Sequence, residues 1–560
     1  MSRYVIGLDF GSNSMRAIVA DVRNGRELGT HSVNYGHGES GILVDAAIPE
    51  LARQHPADYL QAIEIGVREA LVQAAADKEF SPKDVIGIGV DTTGSTPMPV
   101  DRHARSLAMV AGMEENPDAM AWLWKDHTAH AEAAQITAAA AAQRPRYLAK
   151  CGGRYSSEWY WAKILRCAHA APAVFEKAYT WVEIADWIPA VLTGVSDADR
   201  IPRGVCAAAH KAFYNPEWGG YADEAFLASL HPGLARVRKT LPAHAHTVAE
   251  PAGMLSGEWA AKLGLPAGIP VAIGAFDAHL GAIGAGIADG TLVKIIGTST
   301  CDIMVAPSDR KLADIPGLCG IAPESVLPRY HGLEAGQSAV GDIFNWVVST
   351  TGGETGSHET LTDEARRLKP GQSGLLALDW LNGNRTVLVD QRLTGLILGL
   401  TLHSSPAEIY RAFIEATAMG ARVIMERFEE YGVPVKRVVN CGGISARNPM
   451  VMQIYADVMN RPIAVSRSLQ TCALGAAIAA AVAAGKPRGG YDRFDDAISA
   501  MTAVQDRIFQ PDPAAVATYE RLYKLYRQLH DAFGIAGQKT DLSNLMKELL
   551  TIRDQVRGNN

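Results

Sequence analysis

One construction occurs twice in this chain: an apolar strand, a tight turn of glycine and hydroxyl residues, then another apolar strand. It first joins "YVIGL" to "AIVADV" through "DFGSNSMR", Asp9 to Arg16. It returns in "LVKIIGTSTCDIMVA" from Leu292, where Gly297, Thr298, Ser299 and Thr300 make the turn. A plain β-hairpin accounts for such residues on steric grounds. A second reading gives them chemistry: glycine lets the backbone approach an anion, while amide and hydroxyl groups donate to phosphate oxygens. Two such turns facing one cleft would clamp a single polyphosphate.

The repeat divides the chain into two similar halves, with the boundary near the Pro/Gly-rich "GLPAGIP" at Gly264 to Pro270. The expected domains are residues 1–267, 268–490 and a helical extension over 491–560. In the first half, "DVIGIGVDTTGSTP" from Asp84 is another apolar strand ending in an acid and small polar residues. Between these strands, Leu60, Ile63, Val67 and Leu71 recur at helical spacing. Strand, turn and helix alternate, so the class is α/β. In the second half Ser405, Pro406 and Glu408 predict a capped helix with Ile409, Phe413, Ala416, Val423 and Ile424 on its core face. Tyr519 to Phe533 and Leu542 to Val556 carry apolar residues at helical spacing and predict a packed tail.

Composition narrows the function. The net charge of -7 over 560 residues, with no Lys/Arg run, leaves no footprint for nucleic acid or an anionic membrane. Seven scattered cysteines without a CxxC pair argue against a disulfide framework or zinc site and for a reducing, cytoplasmic setting. The greasy "CALGAAIAAAVAAG" from Cys472 is too short to span a bilayer. The expected partner is a small molecule; a second copy of the chain, as a homodimer, stays open.

Candidate site residues follow from these turns. Gly11, Ser12, Asn13 and Ser14 form the first and Gly297 to Thr300 the second. Asp9 would repel phosphate directly, so its natural role is to hold Mg2+, through water. Arg16 either neutralises charge nearby or lies on the surface. Gly442 and Gly443 make a strand-to-helix turn that can pass under a nucleotide or simply pack tightly. Asp277 in "GAFDAH" follows an apolar strand and is placed to take a proton from a substrate hydroxyl, whereas His279 reads as a packed histidine. Ser95, Thr96, Lys125, Asp126, His127, Lys211 and Glu334 are candidates for binding sugar hydroxyls, and a structural salt bridge or cap explains any one of them equally well. The Walker loop, HExxH and GxSxG patterns do not occur.

The ordered strings "GLDFGSNSMR", "GIGVDTTGSTP", "WLWKDHT", "YSSEWYWAKIL", "GAFDAHLGAIGAG", "GLEAGQSAVGD", "CGGISARN" and "CALGAAIAA" resemble the FGGY carbohydrate kinases from about Tyr4 to Gly485. The resemblance implies two actin-like, RNase H-type domains closing around ATP and Mg2+. It further implies phosphoryl transfer to the 5-hydroxyl of L-ribulose, with another ketopentose or pentitol, such as D-ribulose, D-xylulose or ribitol, as the alternative substrate. It assigns the phosphate motifs to Asp9, Gly11, Ser12, Ser14 and Gly297 to Thr300, and an adenosine loop to Gly442, Gly443 and Asn448. Asp277 matches the catalytic base, and Lys211 and Glu334, with Ser95 and Thr96 nearby, the sugar contacts. Asn13 stands where many members carry Asp. Gly94 and Ser95 replace the Arg-Glu pair of glycerol-specific members and leave room for a longer sugar. An actin- or chaperone-like ATPase and a silent sugar sensor are the competing classes.

Overall fold

The computed structural model describes residues 3–351 and 357–558. Tyr4–Phe10 (β1) turns back on Ser14–Asp21 (β2), which pairs with Glu27–Asn34 (β3). Val85–Thr92 (β4) runs parallel to β1 on the other side and is buried throughout, which is why it reads as a continuous apolar run. Pro251–Met254 (β5), Pro270–Ala272 (β6) and Ala275–Phe276 (β7) complete the sheet, with β6 and β7 both parallel to β4.

The second sheet is built from Thr291–Ile296 (β8), Thr300–Pro307 (β9), Gly320–Pro323 (β10), Tyr330–Ala335 (β11), Arg437–Cys441 (β12) and Ile463–Val465 (β13). Its order is β10-β11-β9-β8-β12-β13. In both sheets an antiparallel meander of three strands, β1-β2-β3 or β8-β9-β11, is extended by parallel strands. The repeated hairpin in the sequence is therefore the first hairpin of each sheet. The expected boundary at 267/268 does not coincide with the end of the first sheet. Val271 pairs with Ile88 and Phe276 with Thr92, so the chain leaves that sheet only at Asp277.

Pro56–Ala74 (α1) buries Ile63, Val67 and Leu71 against the first sheet. The space between the two sheets is filled by Asp277–Gly284 (α2) and the alanine-rich Thr471–Ala484. Gly341–Thr351 (α3), Pro406–Glu430 (α4) and Pro449–Met459 (α5) belong to the second domain, and Thr471–Ala484 is α6. The Ser405 side chain and Glu408 close the expected capping box at the start of α4. Pro513–Gly534 (α7) and Leu545–Arg557 (α8) pack into the second domain's core, although Phe533 is exposed.

The composition of α6 follows from how close it lies to its neighbours. A Cβ on Gly7 would stand 1.9 Å from the Ala473 carbonyl oxygen, and one on Gly89 1.8 Å from that of Ala476. A Cβ on Gly475 would stand 1.8 Å from the Leu280 oxygen, so α2 and α6 also touch backbone to backbone. Alanine and glycine are what this spacing admits. Among the described residues no helix is long and apolar enough to cross a membrane. We expect Gly475→Val to destabilise the fold by about 3 kcal/mol or more through overpacking. Gly257→Ala, at a position with nothing within 4 Å, should stay within about 0.5 kcal/mol. Thermal unfolding of the two variants beside wild type checks both.

Candidate active site

Parallel strands end together, and these two end in acids. Asp9 at the end of β1 is in register with Asp91 of β4, and Asp277 opens α2 directly after β7. Asp91 is fully buried, and neither of its oxygens has a hydrogen-bond donor. Burial first, then the charges of Asp9 and Asp277, push its carboxyl well above the ordinary range. Burial raises Asp9 as well, against the pull of Arg16, whose Nη1 lies 3.4 Å from Asp9 Oδ2. Arg16 thus faces the site, with Nε donating to Ser32 Oγ at 3.1 Å. Asp277 is pushed up to about 7 by burial and by Asp9, despite the Ala278 N–H that it accepts at 2.6 Å. Three carboxylates crowding one pocket with too few donors form a set suited to a hard divalent cation.

The first turn is held from outside. Gly11 N–H donates to Ser14 O at 2.9 Å, while Trp124 Nε1 and Gln54 Nε2 donate to Ser12 Oγ and Ser12 O at 2.9 and 2.8 Å. The Asn13 amide donates to Ser40 O at 2.7 Å, so this side chain ties down a neighbouring loop.

The second turn is locked by α3: Gly341 N–H donates to Gly297 O at 3.1 Å, and Val340 N–H to Thr298 O at 2.7 Å. Gly297 and Thr298 are left exposed, Ser299 is half-buried and Thr300 is buried. Thr300 accepts on Oγ1 from Gln337 N–H at 2.9 Å and on its carbonyl from Arg385 Nη2 at 2.5 Å. Gln337 Nε2 donates to Asp379 Oδ2 at 2.7 Å, and Tyr526 of α7 donates to Asp379 Oδ1 at 2.9 Å.

The Gly442-Gly443 turn lies against the second phosphate turn. Gly442 has φ +92, and a Cβ there would stand 2.4 Å from Ile296 O, so the position requires glycine. Ile444 Cδ1 and Gly297 O both come within about 3 Å of where a Gly341 Cβ would be. A cavity of about 630 Å3 opens beside α3, lined by Asp342, Ile343, Trp346, Asn382 and Phe413 among others. Asn448 caps α5 through Oδ1 and donates Nδ2 to Thr362 Oγ1 at 3.3 Å, so the structure gives it a positioning part beside this turn.

On the other side of Asp277, Lys211 Nζ donates to both oxygens of Glu334, at 3.0 and 3.1 Å, across the two domains. Burial works against both charges, but the pairing outweighs it: Glu334 is held far below the carboxylate range and Lys211 above its usual value. His210 and His279 pack against the same carboxylate. Trp159 and Phe276 face Lys211 with their rings. Ser95 and Thr96, in contrast, are fully buried on Glu183: Ser95 Oγ donates to Oε1 and Thr96 N–H to Oε2 at 2.7 Å. Their hydroxyls shape a wall rather than stand open as donors. Asp126 is a buried partner of Arg53, His127 pairs with Ser157 at 3.2 Å, and Lys125 lies over the Trp124 ring.

Sequence reasoning missed Asp91, although its setting in "VDTTG" repeats the strand-end acid of "LDFG". It also missed Glu183, Arg385 and the aromatic cavity beside α3, whose residues meet only through the fold.

Residues 4–284 match the model of the FGGY family of carbohydrate kinases, N-terminal domain, and residues 292–484 that of its C-terminal domain. A ribulokinase of Shouchella clausii is 40% identical over 577 aligned positions covering 100% of this chain and 99% of its own. A ribulokinase of Vibrio parahaemolyticus is 42% identical, covering 94% and 95%. Ligand-bound xylulose kinase from Lactobacillus acidophilus superposes with a TM-score of 0.78 at 20% identity, covering 95% of this chain and 99% of its own, and so shares the fold.

The raised acids make stability depend on pH. Their protonated forms favour the folded state, fully so in acid, and that contribution is lost as pH rises through the folded values. Wild type should therefore lose thermal stability as pH climbs through about 7, the value of Asp277. Asp91→Asn, neutral at every pH, should lose less. Equal pH slopes for the two proteins would contradict the cluster's electrostatics.

Proposed function

Because the chain belongs to the FGGY family of carbohydrate kinases, we propose that it transfers the γ-phosphoryl group of ATP to the 5-hydroxyl of L-ribulose. Relatives named ribulokinase over the whole chain length support the sugar assignment. The observation that carries the mechanism is the placement of Asp277. It begins a rigid helix, lies between the Asp9/Asp91 pair and the Lys211/Glu334 pair, and is poised near 7 to take a proton.

In this reading Asp277 accepts the proton of the sugar hydroxyl as that oxygen attacks phosphorus. The backbone N–H and hydroxyl groups of Gly11 to Ser14 and Gly297 to Thr300 hold the β- and γ-phosphates, one turn from each domain. The base and ribose occupy the cavity beside α3 and the Gly442-Gly443 turn, against the Ile343 and Trp346 side chains. Asp9 and Asp91 fit Mg2+, since Asp91 offers two buried oxygens without donors. Bound there, Mg2+ would offset phosphate charge and draw down the carboxyl values around it. Lys211 donates to sugar oxygens and Glu334 accepts from sugar hydroxyls, which fixes the acceptor end. Closing the domains excludes water, which is itself a competing acceptor. The seven cysteines, none in a disulfide, suit a cytoplasmic enzyme.

Coupled ADP release with MgATP tests this, using L-ribulose, D-ribulose, D-xylulose, ribitol and glycerol. L-ribulose should give the highest kcat/KM, and an absence of sugar dependence would leave the switch or sensor classes instead. Asp277→Ala should lower turnover about 10²–10⁴-fold while ATP affinity holds; near-normal turnover would defeat the base assignment. Since the base must be ionised, wild-type kcat/KM should fall as pH drops through the Asp277 value, about 7 in the cation-free protein and lower with MgATP bound, a limb read from the pH profile.

A further inference from the structure

One group in the sugar-side cluster has no part in the steps above. His279 is 2% exposed, and neither ring nitrogen has a hydrogen-bond partner. A neutral imidazole brings one donor and one acceptor, and burying both unsatisfied is costly. Histidines elsewhere in this fold do find partners: His37 Nδ1 meets Asp58 Oδ1 at 2.7 Å, and His530 Nδ1 meets Asp531 Oδ1 at 2.9 Å. His279 is packed, as expected, but its ring nitrogens are left without partners.

What surrounds His279 indicates the missing partner. Its Nε2 lies 3.7 Å from Glu334 Oε2, beyond hydrogen-bond distance. That oxygen already faces Lys211 Nζ at 3.1 Å and His210 Nδ1 at 3.3 Å, so it is engaged away from His279. His210 is itself anchored, with Nε2 on Ser325 Oγ at 2.9 Å and its ring 4.5 Å from that of His279. His279 is also the third residue of α2, the helix that opens with Asp277.

We propose that His279 positions the sugar, its imidazole hydrogen-bonding a sugar oxygen beside Lys211 and Glu334. This rests on the sugar-kinase reading and adds a specificity contact to it. A polyol fits the need better than an apolar group because a hydroxyl can donate to or accept from whichever ring nitrogen faces it. Burial lowers His279 to about 4, so the ring stays neutral near pH 7 and leaves Lys211 as the cation on Glu334.

A transition metal is the other class of occupant. His210, His279 and Glu334 each offer one ligand atom, all within 4.8 Å of one another. The observations favour the sugar, because Lys211 Nζ sits on both Glu334 oxygens and would oppose a divalent ion.

The test uses the full chain as wild type, His279→Leu and His279→Gln. Wild type is first assayed for ADP release across the sugar panel; if it is inert to every sugar, the sugar-kinase reading falls and this role with it. Given wild-type turnover, His279→Leu should raise KM for the sugar about ten- to a hundredfold while KM for ATP stays within about twofold. Its thermal midpoint should not fall, because an apolar side chain replaces an unsatisfied polar one. His279→Gln, which keeps a donor and an acceptor, should recover part of the sugar affinity. An unchanged sugar KM in the leucine variant overturns the proposal, as does a lowered midpoint with both substrates affected alike. Stoichiometric zinc retained by wild type after dialysis, and lost in His279→Leu, would overturn it in favour of a metal site.

Discussion

The contact on which the rest of this molecule depends is the backbone-to-backbone packing of α6 against β1, β4 and α2. Gly7, Gly89, Gly284 and Gly475 admit a carbonyl where any side chain would collide. Because that seam leaves no room for adjustable side chains, it fixes the separation of the two sheets. Both Gly-hydroxyl turns grow from strands that border it, so the spacing of the turns is inherited from packing well below the site.

The second determinant is electrostatic. Asp9, Asp91 and Asp277 are gathered at the ends of parallel strands; burial keeps all three reluctant to ionise, and the charge of Asp9 adds to it for Asp91 and Asp277. On the opposite side Lys211 and Glu334, one from each domain, settle each other's charge across the cleft. The site is thus polarised, with an under-neutralised acid pocket on one side of Asp277 and a balanced ion pair on the other. The proposed cation and neutral polyol suit those two environments respectively.

Much of this was legible before any coordinates. The duplicated hairpin gave both sheets, and the local signals around Ser405 and along α1 gave helices that formed as read. Lys211 and Glu334 were named singly and turn out to be partners. What the sequence hid was commitment. Ser95 and Thr96 read as free hydroxyls, yet Glu183, 87 residues on from Thr96, takes the Ser95 hydroxyl and the Thr96 N–H, and the Thr96 hydroxyl pairs with that of Thr93. Asn13 and Asn448 read as ligand amides, but local loops and a helix end use them. The boundary at Gly264 to Pro270 had the right punctuation, while the strand after it still pairs with β4. Apart from the local cap at Asn448, these misses concern contacts between segments apart in sequence, which periodicity and spacing do not encode.

Helix α7 reaches the second Gly-hydroxyl turn by a short relay. Tyr526 holds Asp379, Asp379 holds Gln337, and Gln337 holds Thr300 of the second turn. The residues that shape that turn are thus set by a helix synthesised well after them. The turn takes its final geometry only once that later helix has been made and has packed against Asp379.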